Sequence, residues 1–336
     1  MKFGVFSVVD HYPKELPRTT ARFYGELFEQ VEAAEALGFE SFWVAEHHFH
    51  EYGAIPRPPI WMAAAAQRTR RIRLGSAVVV LPFDNPLRSA EDYAMVDVLS
   101  AGRLNLGVGS GYLKHEFDGF GLAPEEKRAR FDEALEILLR AFAGERFSYT
   151  GKFHRVTDVQ LNVLPVQQPR PPLWIAILNN ASAAHFGARR FPIMMIPYAT
   201  TERLSELAET VAAFRTAFVE AGGRTEDATV PFGLHTYCAD SFEEARGDAR
   251  DAMDRYVRTR LYAKQRPFEL LVEKDLIAYG SPDDVIRVAR AYEAAGLTHF
   301  LAIANFGGLP HDKVLRSMEL MAKHVLPAFA ARGETG

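Results

Sequence analysis

Residues 46–52 gather three histidines, two carboxylates and two aromatic rings directly after the short apolar run 42–45. An apolar strand that ends in titratable side chains is how an α/β enzyme presents catalytic groups. Imidazole titrates near neutral pH, so a histidine here could transfer a proton. A metal site fits the pattern less well, because adjacent strand residues such as His47 and His48 point to opposite sides. In a purely structural interpretation, Glu46 and one histidine satisfy buried backbone groups.

Two further strand ends carry small residues that suit ligand binding. Ser76 and Ala77 lie inside an apolar run, where they leave room either for a flat group or for close packing of a helix. The turn Gly107-Val-Gly-Ser-Gly-Tyr112 can present backbone N–H groups to a phosphate. Its glycines do not match a dinucleotide fingerprint, and no P-loop sequence follows. His115 and Glu116, just beyond this turn, could contribute a charge to such a site, although solvated loop residues are the commoner case.

A third strand end, Leu178-Asn-Asn-Ala-Ser182, opens a predicted helix. The free N–H groups and the dipole of a helix N-terminus make it a site for an anion. The alternative is an ordinary N-cap by Asn179, Asn180 or Ser182, and the spacing alone favours neither interpretation.

The elements that must hold these residues alternate between strand and helix. Apolar, β-branched runs predict eight strands, at 3–9, 40–45, 72–81, 104–108, 173–178, 193–196, 230–239 and 298–303. Amphipathic or alanine-rich segments between them predict helices. This pattern predicts an α/β fold, a single (β/α)8 TIM barrel domain over residues 1–336. A doubly wound open sheet is the alternative, but it would normally carry a glycine fingerprint after the first strand, and none follows there.

Two segments depart from this alternation. Residues 146–162 are rich in aromatic and β-branched residues and predict a β-hairpin inserted before the fifth strand, turning at Thr150-Gly-Lys152. Residues 262–279 show no clear periodicity and are longer than most loops in compact domains. We expect this second segment to form a mobile lid.

Composition narrows the possible partners and the compartment. The chain has 39 basic and 43 acidic residues and a net charge of −4, which argues against nucleic acid or an anionic membrane as a partner. The single cysteine, Cys238, excludes an intramolecular disulfide and fits a reducing compartment. No run approaches the ~20 apolar residues of a membrane span, and the N-terminus lacks the features of a signal peptide. A cytoplasmic enzyme is the expectation.

Taken in order, these motifs resemble the bacterial luciferase-like family of flavin monooxygenases, nearly from end to end. The most specific element is Ala45-Glu-His-His-Phe49 after a second strand. Weaker elements follow at plausible spacing: Gly75-Ser-Ala77, Ser100-Ala-Gly-Arg103, Gly107-Val-Gly109, Trp174-Ile-Ala176, Ala181-Ser182 and Gly280-Ser-Pro282.

The resemblance implies a TIM barrel that binds reduced FMN at its C-terminal mouth. FMNH2 and O2 would form a C4a-hydroperoxide that oxygenates a small hydrophobic substrate, such as an aldehyde. A separate NAD(P)H:flavin reductase would supply FMNH2, because no nicotinamide-binding fingerprint is present. Members commonly form homodimers, here through the apolar surfaces at 60–66 and 93–99. A deazaflavin-dependent dehydrogenase is one alternative; the other, a non-catalytic flavin-binding subunit, is disfavoured by His47.

The resemblance also assigns residues. His47 would support proton transfer, and Glu46 would join it at the catalytic site as a buried anchor. Ser76, Ala77 and Val78 would lie against the isoalloxazine, where we predict a cis peptide bond between Ala77 and Val78. The remaining cofactor residues would be Gly109, Ser110, Gly111, Tyr112, Leu178, Asn179, Asn180, Ala181 and Ser182, with Ser182 at the phosphate. The substrate pocket would be formed by Phe6, His11, Phe49 and Tyr52, together with Tyr112.

Two positions depart from the family pattern. Many relatives have an arginine that pairs with the FMN phosphate where this chain has Ser110. A serine offers one neutral hydrogen bond in place of a charged fork. We therefore expect weaker FMN retention, a shifted phosphate, or compensation from another base such as Arg103 or Arg189. Many relatives also have Ser or Thr where Leu178 stands, which removes a polar contact near the flavin.

Overall fold

A computed structural model of the chain describes residues 1–50, 52–260 and 265–330. The strands are β1 (Lys2–Ser7), β2 (Ser41–Val44), β3 (Arg73–Val80), β4 (Leu104–Gly109), β5 (Phe147–Thr150), β6 (Arg155–Val159), β7 (Leu173–Ile177), β8 (Ile193–Met195), β9 (Pro231–Cys238), β10 (Ala278–Gly280) and β11 (His299–Asn305). The helices are α1 (Thr20–Ala36), α2 (Pro58–Arg68), α3 (Pro86–Leu99), α4 (Lys114–Gly119), α5 (Lys127–Phe142), α6 (Ala181–Ala188), α7 (Pro197–Thr200), α8 (Leu204–Glu220), α9 (Phe242–Thr259), α10 (Phe268–Glu273), α11 (Pro282–Ala294), α12 (His311–Leu320) and α13 (Leu326–Phe329).

Eight parallel strands close into the predicted TIM barrel, in the order β1-β2-β3-β4-β7-β8-β9-β11. The ring closes where β11 pairs with β1, and Met195 on β8 pairs with Phe232 on β9. Each of these strands coincides with a strand predicted from the sequence. The reason is that a parallel strand covered on both faces is apolar along its whole length, so it forms a continuous signal.

Close packing between barrel strands explains the glycine in β3. The indole of Trp43, on β2, is fully buried beside Gly75. A Cβ at Gly75 would lie 2.2 Å from that ring, so only glycine allows the tryptophan to fill the space. Outside the barrel, α1 buries one stripe of side chains, Phe23, Leu27 and Val31, as its helical spacing predicts.

The predicted hairpin insertion is confirmed. Strands β5 and β6 pair antiparallel between β4 and β7. The turn docks on α5, because the Glu133 carboxylate accepts hydrogen bonds from the backbone N–H groups of Lys152 (2.6 Å), Phe153 (3.0 Å) and His154 (3.2 Å). The hairpin therefore lies against the outer helices.

The predicted lid, residues 262–279, has regular structure in its described part, and its mobility stays a prediction. It contains α10 and the first residues of β10, which pairs with β9 outside the barrel ring. Phe268, Leu271 and Leu276 are buried. The helix has only six residues, too few for a periodic apolar pattern to stand out. Residues 262–264 of the predicted lid lie outside the described residues.

Among the described residues, no helix is both long enough and apolar enough to cross a bilayer.

Candidate active site

A cavity of about 320 Å³ occupies the C-terminal mouth of the barrel. It is bordered by most of the residues that the sequence singled out: Phe6, Glu46, His47, Ala77, Val78, Gly109, Ser110, Gly111, Tyr112, Leu178, Asn179 and Ser182. Between its two polar ends the wall is mainly apolar, with Ile175, Met194 and Leu301 among the lining side chains. A single cavity thus joins the ends of β1, β2, β3, β4 and β7.

The His47 side chain is held in place by the carboxylate of Glu116, which the sequence pattern suggests is solvated. The His47 side chain is 13% exposed, and its Nδ1 lies 3.0 Å from Oε1 of Glu116 on α4. The same oxygen accepts the backbone N–H of His48 at 2.9 Å. Glu116 is 1% exposed and lines the cavity, so it is not a solvated loop residue. With Nδ1–H donated to Glu116, Nε2 is left as the proton acceptor.

The environment favours the neutral imidazole. Burial lowers the pKa of His47, the hydrogen bond and charge of Glu116 oppose this, and the charge of Arg260 lowers the pKa further. Because the net effect is downward, His47 is uncharged at neutral pH and can accept a proton there.

Glu46 and His48 form a second pair. Oε1 of Glu46 lies 3.2 Å from His48 Nε2, and burial raises the pKa of Glu46. The two adjacent histidines therefore point to different carboxylates, although both lie in the loop after β2 and not in the strand itself. Glu51, the other carboxylate of this stretch, lies outside the described residues. Among the residues that are described, no three His, Cys, Asp or Glu side chains group to hold a metal ion.

Small residues on β3 and β4 shape the middle of the cavity. The peptide bond between Ala77 and Val78 is cis, which confirms the prediction. A Cβ at Gly109 would lie 2.8 Å from Val78, so the glycine keeps this wall open. Ser76 does not border the cavity; its hydroxyl donates to Gly107 O at 3.0 Å and accepts from Gly107 N at 3.2 Å.

The other end of the cavity is cationic. Lys127 and Arg128, the first residues of α5, line it beside Asn179 and Ser182 at the start of α6. Asn179 Oδ1 accepts from the backbone N–H of Ser182 (3.0 Å) and from its hydroxyl (2.9 Å), which fixes the start of that helix. Asn180 and Ala181 do not line the cavity.

Arg128 is one of the two cationic side chains at this end of the cavity. Asp132 (2.9 Å from Nε) and His185 (2.7 Å from Nη2) orient its guanidinium. Arg103 is wrong as a compensating base, because it bonds Ala66 O and Ile72 O at the opposite end of the barrel. Arg189 pairs with Asp132 and is not a lining residue. The sequence signal for Arg128 is a pair of adjacent cations at a helix N-terminus, where the dipole disfavours them unless an anion binds.

Three residues predicted for the substrate pocket do not line it. His11 packs edge-on against Phe23, with 5.1 Å between ring centroids. Phe49 is 63% exposed and contacts Phe120. Tyr52 is buried behind His47, at 5.2 Å between ring centroids. Of the predicted set, Phe6 and Tyr112 border the cavity.

The cavity end beside His47 contains two residues that sequence reasoning misses, Tyr256 and Arg260. Arg260 is the residue that follows α9, and it forms an ion pair with Asp10, in the loop after β1. Both members of the pair are fully buried. They lie 250 positions apart in sequence, so no local pattern could join them.

Comparison with known proteins agrees with this geometry. A family profile described as luciferase-like monooxygenase matches residues 1–299. The crystal structure of the monooxygenase RslO1 from Streptomyces bottropensis superposes with a TM-score of 0.91 at 31% identity, covering 98% of this chain and 100% of that one. The oxygenating constituent of 3,6-diketocamphane monooxygenase from Pseudomonas putida, a type II Baeyer–Villiger monooxygenase in complex with FMN, has the same fold at 21% identity, with a TM-score of 0.82 and 99% coverage of both chains.

A third relative differs in cofactor. The F420-dependent glucose-6-phosphate dehydrogenase from Amycolatopsis mediterranei is 26% identical over 92% of this chain and 95% of its own length. Since the profile match covers most of the chain and RslO1 is similar over its full length, the chain belongs to the luciferase-like monooxygenase family of flavin-dependent oxidoreductases.

Proposed function

We propose that this protein is the oxygenase component of a two-component, FMN-dependent monooxygenase that uses FMNH2 and O2 to oxygenate a small hydrophobic substrate. The observation that carries the proposal is a single cavity with a cationic pocket at one end and the neutral His47 at the other. A flavin mononucleotide has the matching polarity, with a phosphate dianion joined to a flat ring system.

The residues present fit this cofactor. The phosphate would be held by Arg128, Lys127 and the N-terminus of α6. The charge-assisted hydrogen bonds of Arg128 would replace those of the arginine that many relatives have at the position of Ser110. The ring system would lie at the wall made by Ala77, Val78 and Gly109, where the lack of a Cβ leaves space. Reduced FMN, when bound, supplies the activation of O2 and the electrons for inserting one oxygen atom.

The protein's own contribution is proton handling and exclusion of water. His47 Nε2 would accept or return a proton at the reacting centre, while Glu116 holds the ring in one orientation and tautomer. The apolar wall would keep water from competing with the substrate.

Anaerobic titration with FMNH2, followed by mixing with O2 and a hydrophobic aldehyde, tests the proposal. We expect FMNH2 binding, O2 consumption and oxygenated product; a protein that neither binds FMNH2 nor consumes O2 would contradict it. His47→Ala should reduce turnover far more than FMN binding. The matched control is His48→Gln, which can keep the hydrogen bond to Glu46. Equal losses of turnover and FMN binding in His47→Ala would assign His47 a structural role.

A deazaflavin-dependent dehydrogenase is the second candidate, favoured by the F420-dependent relative and by Ser110. Such an enzyme transfers hydride and needs no O2. Parallel titrations with FMN and F420, and the oxygen requirement of turnover, separate the two functions.

A separate NAD(P)H:flavin reductase would supply FMNH2. We also propose a homodimer, because α2 and α3 expose the apolar side chains Ile60 (71% exposed), Met95, Val98 and Leu99. Light scattering on the purified protein tests this, with Ile60→Lys and Val98→Lys expected to give monomers.

A further inference from the structure

Arg260 places a buried positive charge in the wall of the cavity near His47. Its side chain is 1% exposed, yet it borders the cavity. Burying a guanidinium is costly unless partners offset the lost hydration. Asp10 is one such partner, and its other carboxylate oxygen accepts the backbone N–H of Gly307 at 2.9 Å. The ion pair thus ties the loops after β1 and β11 to the end of α9.

Two aromatic rings fix the orientation of this guanidinium. Its Cζ lies 4.2 Å from the Tyr52 ring centroid and 4.1 Å from that of Tyr256. A guanidinium that lies over a ring face donates hydrogen bonds through its edge, in its own plane. The Tyr52 ring also contacts His47, so the cation and the proposed proton acceptor share one aromatic support.

Among the described residues, the charged side chains with the largest effects on His47 are the carboxylates of Glu116 and Asp10 and the guanidinium of Arg260. Two negative charges therefore accompany one positive charge in this set, while His47 itself is neutral. A bound carboxylate would add a third negative charge in a site of low dielectric. A neutral carbonyl oxygen, in contrast, accepts a hydrogen bond from Arg260 without adding net charge.

A second buried group marks the same end of the barrel as polar. His235, on β9, is fully buried, and neither of its ring nitrogens has a hydrogen-bond partner among the described residues. Its ring packs on the ring of Tyr256, with 4.2 Å between the two centroids. Tyr256 is also one of the two rings that contact the Arg260 guanidinium. Unpaired buried imidazole nitrogens are costly, which indicates a polar partner close to His235, although His235 itself is not a lining residue of the cavity.

We infer that Arg260 is a specificity-determining residue, which binds an otherwise apolar substrate through a neutral carbonyl oxygen and which, balanced by Asp10, disfavours carboxylates. The inference rests on the proposed function in one respect: the molecule that binds to Arg260 is taken to be the substrate of that reaction. It concerns binding and orientation; the oxygenation itself belongs to the flavin.

The test compares three probes of similar shape: cyclohexanone, methylcyclohexane and cyclohexanecarboxylate. Their dissociation constants are measured by saturation-transfer NMR on the wild-type protein, both without flavin and with saturating FMN. One hydrogen bond to a buried charged group corresponds to a preference for the ketone over the hydrocarbon of about 10- to 100-fold. We expect that preference in the wild-type protein, and we expect the carboxylate to bind more weakly than the ketone.

Three variants separate binding from folding. Arg260→Met combined with Asp10→Asn removes both charges of the ion pair together, so neither member of the pair is left without the other, and the ketone preference should fall to about onefold. Arg260→Lys keeps the ion pair but not the planar fork, and should give an intermediate preference if the double variant does not fold. Asp10→Asn alone keeps Arg260 and removes one negative charge, so it should improve carboxylate binding relative to the ketone by about tenfold or more.

Several results would overturn the inference. The first is a ketone preference that survives the double variant or, if that variant does not fold, a preference that is unchanged in Arg260→Lys. The second is tighter binding of the carboxylate than of the ketone by the wild-type protein. The third is an Asp10→Asn variant in which the relative affinities do not change. The proposed function fails separately, if FMN does not bind while the ketone preference still depends on Arg260. Because the probes are also titrated without flavin, the two failures remain distinguishable.

Discussion

Replacing Glu116 by Gln tests whether the carboxylate behind His47 sets its protonation. The substitution keeps the size of the side chain and an oxygen that can accept both hydrogen bonds, but removes the negative charge. In the wild-type protein, burial lowers the pKa of His47, and Glu116 is the group that most strongly opposes this. Without the charge, the pKa of His47 must fall further.

The size of the stability change follows from two contacts. Oε1 of Glu116 accepts from His47 Nδ1 at 3.0 Å and from His48 N at 2.9 Å. Each hydrogen bond to a charged acceptor contributes about 1 kcal/mol more than a neutral one. Loss of the charge should therefore lower the free energy of unfolding by about 2 kcal/mol at neutral pH.

The pH dependence has a definite sign. Because the native pKa of His47 lies below the unfolded value, the unfolded state binds more protons between the two values, and stability falls as the pH drops through that window. Turnover needs the neutral imidazole, so it should be lost as the pH falls through the native pKa. In Glu116→Gln, the loss of turnover on the acid side of the pH–rate profile (its acid limb) should move to lower pH. The midpoint of the His47 titration, measured by NMR, should move in the same direction.

The assay is a histidine NMR titration, a pH–rate profile and urea unfolding of the wild-type protein, Glu116→Gln and a control. Glu46→Gln is the matched control, because Glu46 bonds His48 rather than His47; it should leave the His47 midpoint unchanged. If Glu116→Gln lowers stability but leaves the midpoint and the acid limb where they were, Glu116 only supports the fold, and its control of the His47 pKa is refuted.

Three further predictions concern the rest of the molecule. Arg128→Met should weaken FMN binding by about tenfold or more but leave riboflavin binding unchanged, because riboflavin lacks the phosphate; equal loss of both in fluorescence titrations would contradict the phosphate role. Gly107→Ala should lower the free energy of unfolding, measured in urea, by about 1–3 kcal/mol. The reason is that the new Cβ would lie 2.3 Å from the backbone oxygen of Ser76 and 2.8 Å from Met194 Sδ. An unchanged free energy of unfolding would show that β3 can shift. Burial raises the pKa of the Cys238 thiol to about 12. This sole cysteine should therefore resist Ellman's reagent at pH 8 until urea unfolds the chain. Rapid labelling of the native protein would show that the structure opens locally around Cys238.

The sequence predicts the barrel well and the cavity unevenly. Barrel strands are apolar along their length, and His47 directly follows such a strand, so both are visible as local patterns. The sequence misplaces Phe49 because the chain reverses there, with φ at 58°, and turns the ring outward onto Phe120. No alternation rule detects a single residue in the left-handed region.

Long-range pairing accounts for the other omissions. Glu116 lies in the first turn of a short polar helix, a position that is usually solvated, but it is buried because His47 and His48, in the loop after β2, bond to its carboxylate. Arg260 and Asp10 are far apart in sequence and meet only when the barrel closes. A buried ion pair depends on both partners at once, so neither residue alone carries a local signal for it.

Three side chains that line the cavity share one physical arrangement, because each of them pairs with a carboxylate. Glu116 holds His47, Asp10 holds Arg260, and Asp132 holds Arg128. Side chains oriented in this way need little reorganisation when a ligand binds, and in an apolar cavity their dipoles and charges act with little screening. It follows that the carboxylates, and not only the residues that touch the ligand, determine what the cavity accepts. Neutralising Glu116 should change the pH response, and neutralising Asp10 should change the preferred charge of the ligand, although neither substitution removes a side chain that we expect to contact the substrate.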